Sequence, residues 1–385
     1  MRILKIILKN TFRHKLRAGL TILSIAIAVL AFGMLRSIVD SVYTGVERAS
    51  ARRLVVRNAI SMAFPLPLSY EEKIRQTDGV KLITSFTWFG GMYRDEKTFF
   101  PSFAVEPRAL PELYPENIVP PDQIEAFLKD RKGALVGRKL ADRFGWKAGD
   151  PVTLKGTIYP GNWDFIIRAI YKGKDRDTDE RLFFFHWNYL NETMKREAPG
   201  RADQVGSFSV GLSASANPAD VAAAIDNTFK NSRAETLTES EKAFSLHMLA
   251  MVDAIIVVIR LVAFVVIIII VAVAANTMSM TTRERIGEFS IFKTLGFGPF
   301  WIGSLIFGES LIISFIGCLF GMALTFPAAK IFKDLTSAFV PYFEVKTTTI
   351  WLDLTWAVVI GAIAGLVPTW RAIRIKVADG LRRIG

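Results

Sequence analysis

A single cysteine, Cys318, and three histidines stand among 385 residues. One cysteine excludes an intrachain disulfide, so any domain outside a membrane must be held by its own core. The histidines (His14, His186 and His247) are scattered, and no metal-ligand spacing surrounds them. The Gly-x-x-x-x-Gly-Lys-Ser/Thr phosphate loop is missing. Gly137-Arg138-Lys139 lacks both the earlier glycine and the hydroxyl residue that Mg²⁺ needs. No nucleophile–histidine–acid set can be assembled. These absences predict a non-catalytic chain that binds no metal or cofactor; energy, if used, comes from a partner.

What the sequence does have is apolar length. Apolar residues make up 51% of the chain, charged ones 22%, and the mean hydropathy is +0.31. That balance suits a few membrane spans plus one sizeable outer domain. Crossing about 30 Å of hydrocarbon takes roughly 20 helical residues. Four runs qualify: 18–39, Ala254–Thr277, 300–327 and 349–367. Met34-Leu35-Arg36-Ser37 continues from the first run without a small-residue cleavage site, so that run reads as a retained anchor.

The net charge of +12 could suggest nucleic acid, but its placement says otherwise. Arg2, Lys5, Lys9, Arg13, Lys15 and Arg17 fill segment 1–17 with no acid. Arg371, Arg374, Lys376, Arg382 and Arg383 crowd the tail 368–385, and loop 281–299 is mildly basic. With four spans these three segments share one side, which the positive-inside rule makes cytoplasmic. The excess is a topology signal, and no nucleic-acid partner is expected. Both termini are then expected in the cytoplasm and the large domain outside.

Along 2–17, Lys5, Lys9, Arg13 and Arg17 step by four beside Leu4, Leu8, Phe12 and Leu16. This reads either as one amphipathic helix in the inner headgroup layer, with membrane lipid as its partner, or as a simple basic flank. Segment 40–237 reads as an α+β domain. Ser69 with Glu72 forms a capping-box pattern ahead of a helix, and Val80–Trp88 reads as a strand. Ala134–Gly145 reads strand, turn, helix; Pro151–Lys155 and Phe165–Tyr171 read as strands. Phe183-Phe184-Phe185 marks a buried strand, Ser207–Leu212 another, and Pro218–Lys230 a helix with Val221, Ile225 and Phe229 on one face. The stretch between Lys172 and Asn231 could form an inserted second lobe. From Thr238 a helix is expected to run unbroken through 238–280 as a stalk into the second span, with a break near Ala250 as the alternative. Segment 328–348 is then a short outer loop.

The most informative stretch is Thr281–Phe297, charged and helix-compatible between two apolar runs. Ile286, Phe289, Phe292 and Leu295 fall every third residue, an apolar stripe needing a protein groove or a lipid surface. Arg283, Glu284, Arg285 and Glu288 at its start could supply charge-paired specificity.

Here the sequence resembles a family. Arg283-Glu284-Arg285-Ile286-Gly287-Glu288 followed by Lys293-Thr294-Leu295-Gly296-Phe297 is similar to the cytoplasmic loop of the FtsX-like/MacB-like permeases of ABC transporters. Arg13-His14-Lys15-Leu16-Arg17 with Thr21–Ala28 resembles the family's first span. Ala134–Leu154 resembles a segment of its periplasmic domain, and Pro368-Thr369-Trp370-Arg371-Ala372-Ile373-Arg374 its tail. The order of motifs covers nearly the whole chain. The tail departs at Ala378-Asp379-Gly380-Leu381-Arg382, where the family carries a glutamate–alanine pair.

The resemblance implies four transmembrane helices and an α+β periplasmic domain between the first and second. No ATPase is fused within this sequence, so the resemblance implies a separate ABC ATPase chain holding ATP and Mg. It implies pairing with a second permease copy or a sibling, and a coupling helix comprising Arg283, Glu284, Arg285, Ile286, Glu288, Phe289, Phe292, Lys293, Leu295 and Gly296. Motion would pass to the outer domains, for efflux of macrolide-like or peptide compounds through an adaptor and outer-membrane channel, or for trafficking of lipids or lipoproteins to an acceptor. A regulatory module activating a periplasmic cell-wall hydrolase is the alternative; a membrane-anchored sensor without an ATPase is a third.

Three further features carry expectations. Glu309 lies inside the third span, where a carboxyl either hydrogen-bonds across a permease dimer interface or carries a proton. Asp253, Arg260 and Asp353 sit near outer span ends, where they can snorkel. Gly317 and Gly321, with Gly303 and Gly308, suggest close helix packing. Phe64, Leu66 and Leu68 form a proline-stiffened apolar loop that either meets a substrate or partner or tucks into the domain.

Overall fold

The computed structural model describes residues 2–94, 98–175, 178–251, 253–336, 343 and 345–374. The divergent tail at Ala378–Arg382, with Lys376 and Arg383, lies outside them, as do 337–342 and 344 of the expected 328–348 loop, whose first part, 328–336, continues a helix. The chain forms two compact units, Met1–Tyr43 with Met251–Gly385, and Thr44–Ala250.

In the first unit, α1 spans Arg2–Thr11 and α2 Lys15–Arg48. The expected single helix over 2–17 therefore breaks between Phe12 and His14. In the second unit, β1 (Arg53–Asn58) and β2 (Leu66–Pro67) precede α3 (Tyr70–Arg75) and β3 (Val80–Trp88). The Ser69 side chain makes no cap hydrogen bond, so the capping box does not form. Then follow β4 (Gly91–Met92), β5 (Ser102–Val105), α4 (Leu110–Leu113), β6 (Asn117–Ile118) and α5 (Pro121–Lys129). The strand–turn–helix signal at Ala134 becomes β7 (Gly133–Gly137) and α6 (Arg138–Phe144), closed by Gly145 at φ 71°. After β8 (Pro151–Gly156) and the long β9 (Gly161–Gly173) come β10 (Phe183–His186), α7 (Trp187–Glu197), β11 (Gln204–Val205), β12 (Ser207–Leu212), α8 (Pro218–Thr228) and β13 (Thr236–Ser240).

The strands form one mixed sheet in the order β13-β1-β12-β3-β5-β10-β7-β9-β8-β4, with β6 on β9 and β2 pairing β11 apart. Strand β10 lies parallel to β5 and antiparallel to β7. Because side chains alternate across a sheet, Phe183 and Phe185 enter one core with Phe89, Phe100 and Phe165. Phe184 enters the opposite one with Leu135, Tyr171 and Phe127. The three phenylalanines thus sit at the centre of the sheet, buried on both faces. An inserted lobe between Lys172 and Asn231 is not formed, since β10 and β12 belong to that same sheet.

The unbroken helix from Thr238 is also corrected. Thr236–Ser240 is strand β13, paired antiparallel with β1. Thr236 and Thr238 are held there by Asp226, whose carboxylate accepts from both hydroxyls. Helix α9 spans Glu241–Met251 and α10 Asp253–Glu284. Short α11 (Ile286–Thr294) leads to α12 (Pro299–Thr336), and α13 covers Thr347–Arg374.

Among the described residues four helices are long and apolar enough to cross a membrane: Lys15–Ser41, Asp253–Glu284, Pro299–Lys333 and Thr347–Arg374. Helix α12 runs through Pro327, where the sequence suggested an end; membrane bundles tolerate the lost N–H. The glycine spacing is used within the chain. A Cβ on Gly317 would lie 2.7 Å from Ile25 Cγ2, and one on Gly321 2.7 Å from the Ala26 carbonyl oxygen. Only glycine permits this approach of α12 to α2. Gly361 and Gly365 of α13 face Ser314 and Ser310 of α12 in the same way, and the Ser310 hydroxyl donates to the Gly361 carbonyl at 2.7 Å.

Candidate coupling site

The chain reverses between α10 and α12 through α11. Arg285 interrupts the helix with φ −100° and ψ 10°, turning α11 away from the axis of α10. At the other end the Phe297 N–H donates to the Phe292 carbonyl and the Gly296 N–H to the Lys293 carbonyl. Those two bonds, with Gly296 at φ 87°, make a Schellman stop. The accompanying hydrophobic contact is between Phe292 and Phe297, whose rings lie 5.7 Å apart. Trp301 of α12 then packs against Phe297, the ring centroids 4.4 Å apart and the rings tilted by 30°.

Electrostatics pins the other end. Arg285 is buried and donates through Nη1 to Glu309 Oε1 at 2.7 Å and through Nε to Glu288 Oε2 at 3.0 Å. Its guanidinium also lies over the Phe289 ring. Glu309 is 4% exposed. It is therefore paired inside its own chain. The expected role of Glu309 in bonding across to a second permease copy is replaced by this internal one.

Arg13 pairs with Glu288. Arg17 grips Glu284 with two bonds, Nη1 to Oε2 at 2.6 Å and Nη2 to Oε1 at 2.8 Å. The basic stripe of segment 1–17 thus serves protein contacts at Arg13 and Arg17. The charge ladder Arg13–Glu288–Arg285–Glu309 ties the α1–α2 turn, α11 and α12 together. Burial works against the Glu288 carboxylate, yet Arg285 and Arg13 outweigh it and hold the carboxyl below its usual range. For Arg285 burial is likewise the largest influence, and Glu309 and Glu288 reverse it, raising the guanidinium above its ordinary value. Lys293 donates from Nζ to the Ile373 carbonyl at 2.7 Å, at the C-terminal end of α13.

The apolar stripe does not face one way. Phe289 is 1% exposed and packs with Ile302, Ile306 and Ala372. Phe292 packs beside it against Trp301, and Ile286 is half-buried. Their expected seat in a partner's groove is thus corrected, for Phe289 most clearly: the three-residue spacing carries it round to the permease side. The outward apolar surface is instead Ile291, Leu295, Phe297 and Phe300, with Leu295 68% and Phe300 88% exposed. Arg283, Glu284 and Gly296 also reach solvent.

Sequence reasoning singled out Arg285 and Glu309 but missed their union, and it missed Arg13 and Arg17 as their neighbours' partners. A signal was present. Arg13 and Arg17 are four apart, and so are Glu284 and Glu288, two opposite ladders of equal pitch.

The other marked residues separate. Leu66 lies in β2 and is fully buried, Leu68 packs against the domain core, and Phe64 alone of the three is exposed. The idea of one apolar loop is corrected, because the Leu66–Pro67 strand draws its own side chain inward. Ile60 and Met62 are exposed near Phe64 in sequence. Arg260 bonds the Tyr43 hydroxyl at 3.2 Å, and Asp253 is exposed. Asp353 does not snorkel: it is 2% exposed.

Two family models match this chain. The FtsX-like permease C-terminal model covers residues 260–377, and the MacB-like periplasmic core domain model covers residues 18–228. Among solved structures, the periplasmic region of MacB from Actinobacillus actinomycetemcomitans is similar at 8% identity and a TM-score of 0.39, covering 54% of this chain and 97% of that one. The extracellular domain of the noncanonic ABC-type transporter YknZ from Gram-positive bacteria is similar at 10% identity and a TM-score of 0.36, covering 49% and 100%. No curated protein matches.

Proposed function

The chain belongs to the FtsX-like/MacB-like permease family, a multi-pass membrane protein with a periplasmic domain, and from that premise we propose that it couples a cytoplasmic ABC ATPase to work done by its outer domain. In this reading the chain itself is non-catalytic, and ATP and Mg act on the partner. The membrane is the bacterial inner membrane, and both termini are cytoplasmic.

The observation that carries the reading is the two-sidedness of α11. Its inner side is locked to α12 by the Arg285–Glu309 pair and the Phe289 packing. Its other side exposes Ile291, and the stretch that follows exposes Leu295, Phe297 and, at the start of α12, Phe300. Exposed apolar side chains on so short a segment suit a protein groove. A helix gripped on one side and docked on the other transmits displacement instead of absorbing it. Closure of an ATPase dimer would push α11, and α12 and α10 would move with it. Two such permeases, or one with a sibling, would act as a pair. The work outside would be efflux of macrolide-like or peptide compounds through an adaptor and outer channel, or transfer of lipids or lipoproteins to an acceptor.

The test is mild-detergent purification of the native assembly with mass spectrometry of every bound protein and lipid, followed by ATP hydrolysis in the purified complex. A soluble ATPase should co-purify, and Leu295→Asp should cut stimulated hydrolysis about tenfold, the loss expected on truncating a buried interface anchor. Hydrolysis unchanged by Leu295→Asp would refute the coupling reading.

A further inference from the structure

Asp353 lies fewer than two turns into α13, inside a helix apolar enough to span the membrane. It is 2% exposed, and its Oδ1 has no hydrogen-bond partner. Its Oδ2 and Thr325 Oγ1 of α12 each lie 3.4 Å from where a Cβ on Gly33 of α2 would stand. The carboxyl is therefore enclosed where α2, α12 and α13 meet. One turn before it, Thr349 is 0% exposed and its Oγ1 is also unpartnered. Small residues make the room: Gly33, and Gly321 one turn before Thr325, which accepts the Thr325 hydroxyl at its carbonyl.

No cation is supplied from any packed element among the described residues. On α2, Arg36 is paired with Asp40 at 3.3 Å. On α10, Arg260 is turned to Tyr43. On α12, Glu309 is held by Arg285, Lys330 and Lys333 are exposed, and the titratable neighbour is Cys318, whose Sγ donates to the Asp353 backbone carbonyl at 3.4 Å. Before Asp353 in sequence, Lys346 is half-buried. Glu309 and Asp353 thus differ in kind. An ionised carboxylate taken out of water without a partner is far costlier than a neutral acid, and such a group neutralises instead.

We propose that Asp353 is a proton-binding site inside the membrane bundle, holding a neutral carboxylic acid while the α2–α12–α13 seam is closed. Opening the seam to water lets the O–H bond break, the proton pass to water and the carboxylate remain hydrated. Reclosing requires that proton to return. The seam is then biased by the proton concentration on the side to which it opens, independently of any ATPase.

The experiment uses the full chain in phospholipid nanodiscs and infrared difference spectroscopy between H2O and D2O at neutral pH. A neutral-acid carbonyl band should be present in the wild type and persist in Glu309→Gln. It should vanish in Asp353→Asn, which keeps the shape and neutrality of the acid and so should assemble normally. Should Asp353→Asn fail to assemble, Asp353→Glu keeps the acid and must shift the band. A wild type without the band, or a band unmoved by the Asp353 substitutions, overturns the proposal.

Discussion

Arg285 and Glu309 are each almost fully enclosed, and neither has enough water to be stable alone. Breaking such a pair by removing one member leaves an uncompensated buried charge and costs about 3–5 kcal/mol. Arg285→Ala should therefore lower the thermal unfolding midpoint of the chain in nanodiscs sharply. Replacing both with apolar residues of similar volume (Arg285→Met with Glu309→Leu) should recover most of that stability, because the desolvation of both charges is relieved together. A double variant as unstable as the single one would show that the pair does more than neutralise itself. Glu288 carries a pH signature. Its folded carboxyl sits below the unfolded value of about 4.3, held there against burial by Arg285 and Arg13. Its contribution is therefore present above that value and is lost as pH falls through the lower folded one. The wild type should lose stability on that acid limb faster than Glu288→Gln, read as unfolding midpoint against pH.

At the scale of elements, close helix contact makes its own prediction. A side chain at Gly317 would meet Ile25 at 2.7 Å and the Ile22 carbonyl at 3.1 Å. Gly317→Leu should part α12 from α2 and destabilise the chain by roughly 1–3 kcal/mol or more, the usual cost of overpacking, while Leu at Gly298, which meets nothing within 4 Å, should cost little. Equal effects at both positions would refute the seam. Much of this was legible in the sequence: the existence and order of the four spans, the Phe183–Phe185 strand, the Gly145 helix stop and the glycine spacing on α12 all follow local rules. What was not legible depended on partners distant in sequence. Thr238 reads as a helix start by local pattern, yet Asp226 and β1 hold it in a strand. Phe289 and Leu295 look equivalent on a periodicity plot, yet Ile302, Ile306 and Ala372 claim only the first. The Arg13–Glu288 and Arg17–Glu284 matches span most of the chain, and no window-based reading reaches so far.

At the scale of the whole molecule, α11 is a short element with two allegiances. The permease holds Arg285 and Phe289, and the ATPase is proposed to hold Ile291, Leu295, Phe297 and Phe300. The apolar stripe of Thr281–Phe297 is thereby divided, part of it structural and part of it exposed. The most direct test is a photo-crosslinking scan of the full-length chain together with its ATPase, with the photoreactive residue placed singly at positions 289, 291, 295 and 300. Docking of the exposed residues on the ATPase predicts crosslinks to it from 291, 295 and 300 and only internal crosslinks from 289. Capture of the ATPase from 289, or from none of the four, would contradict it.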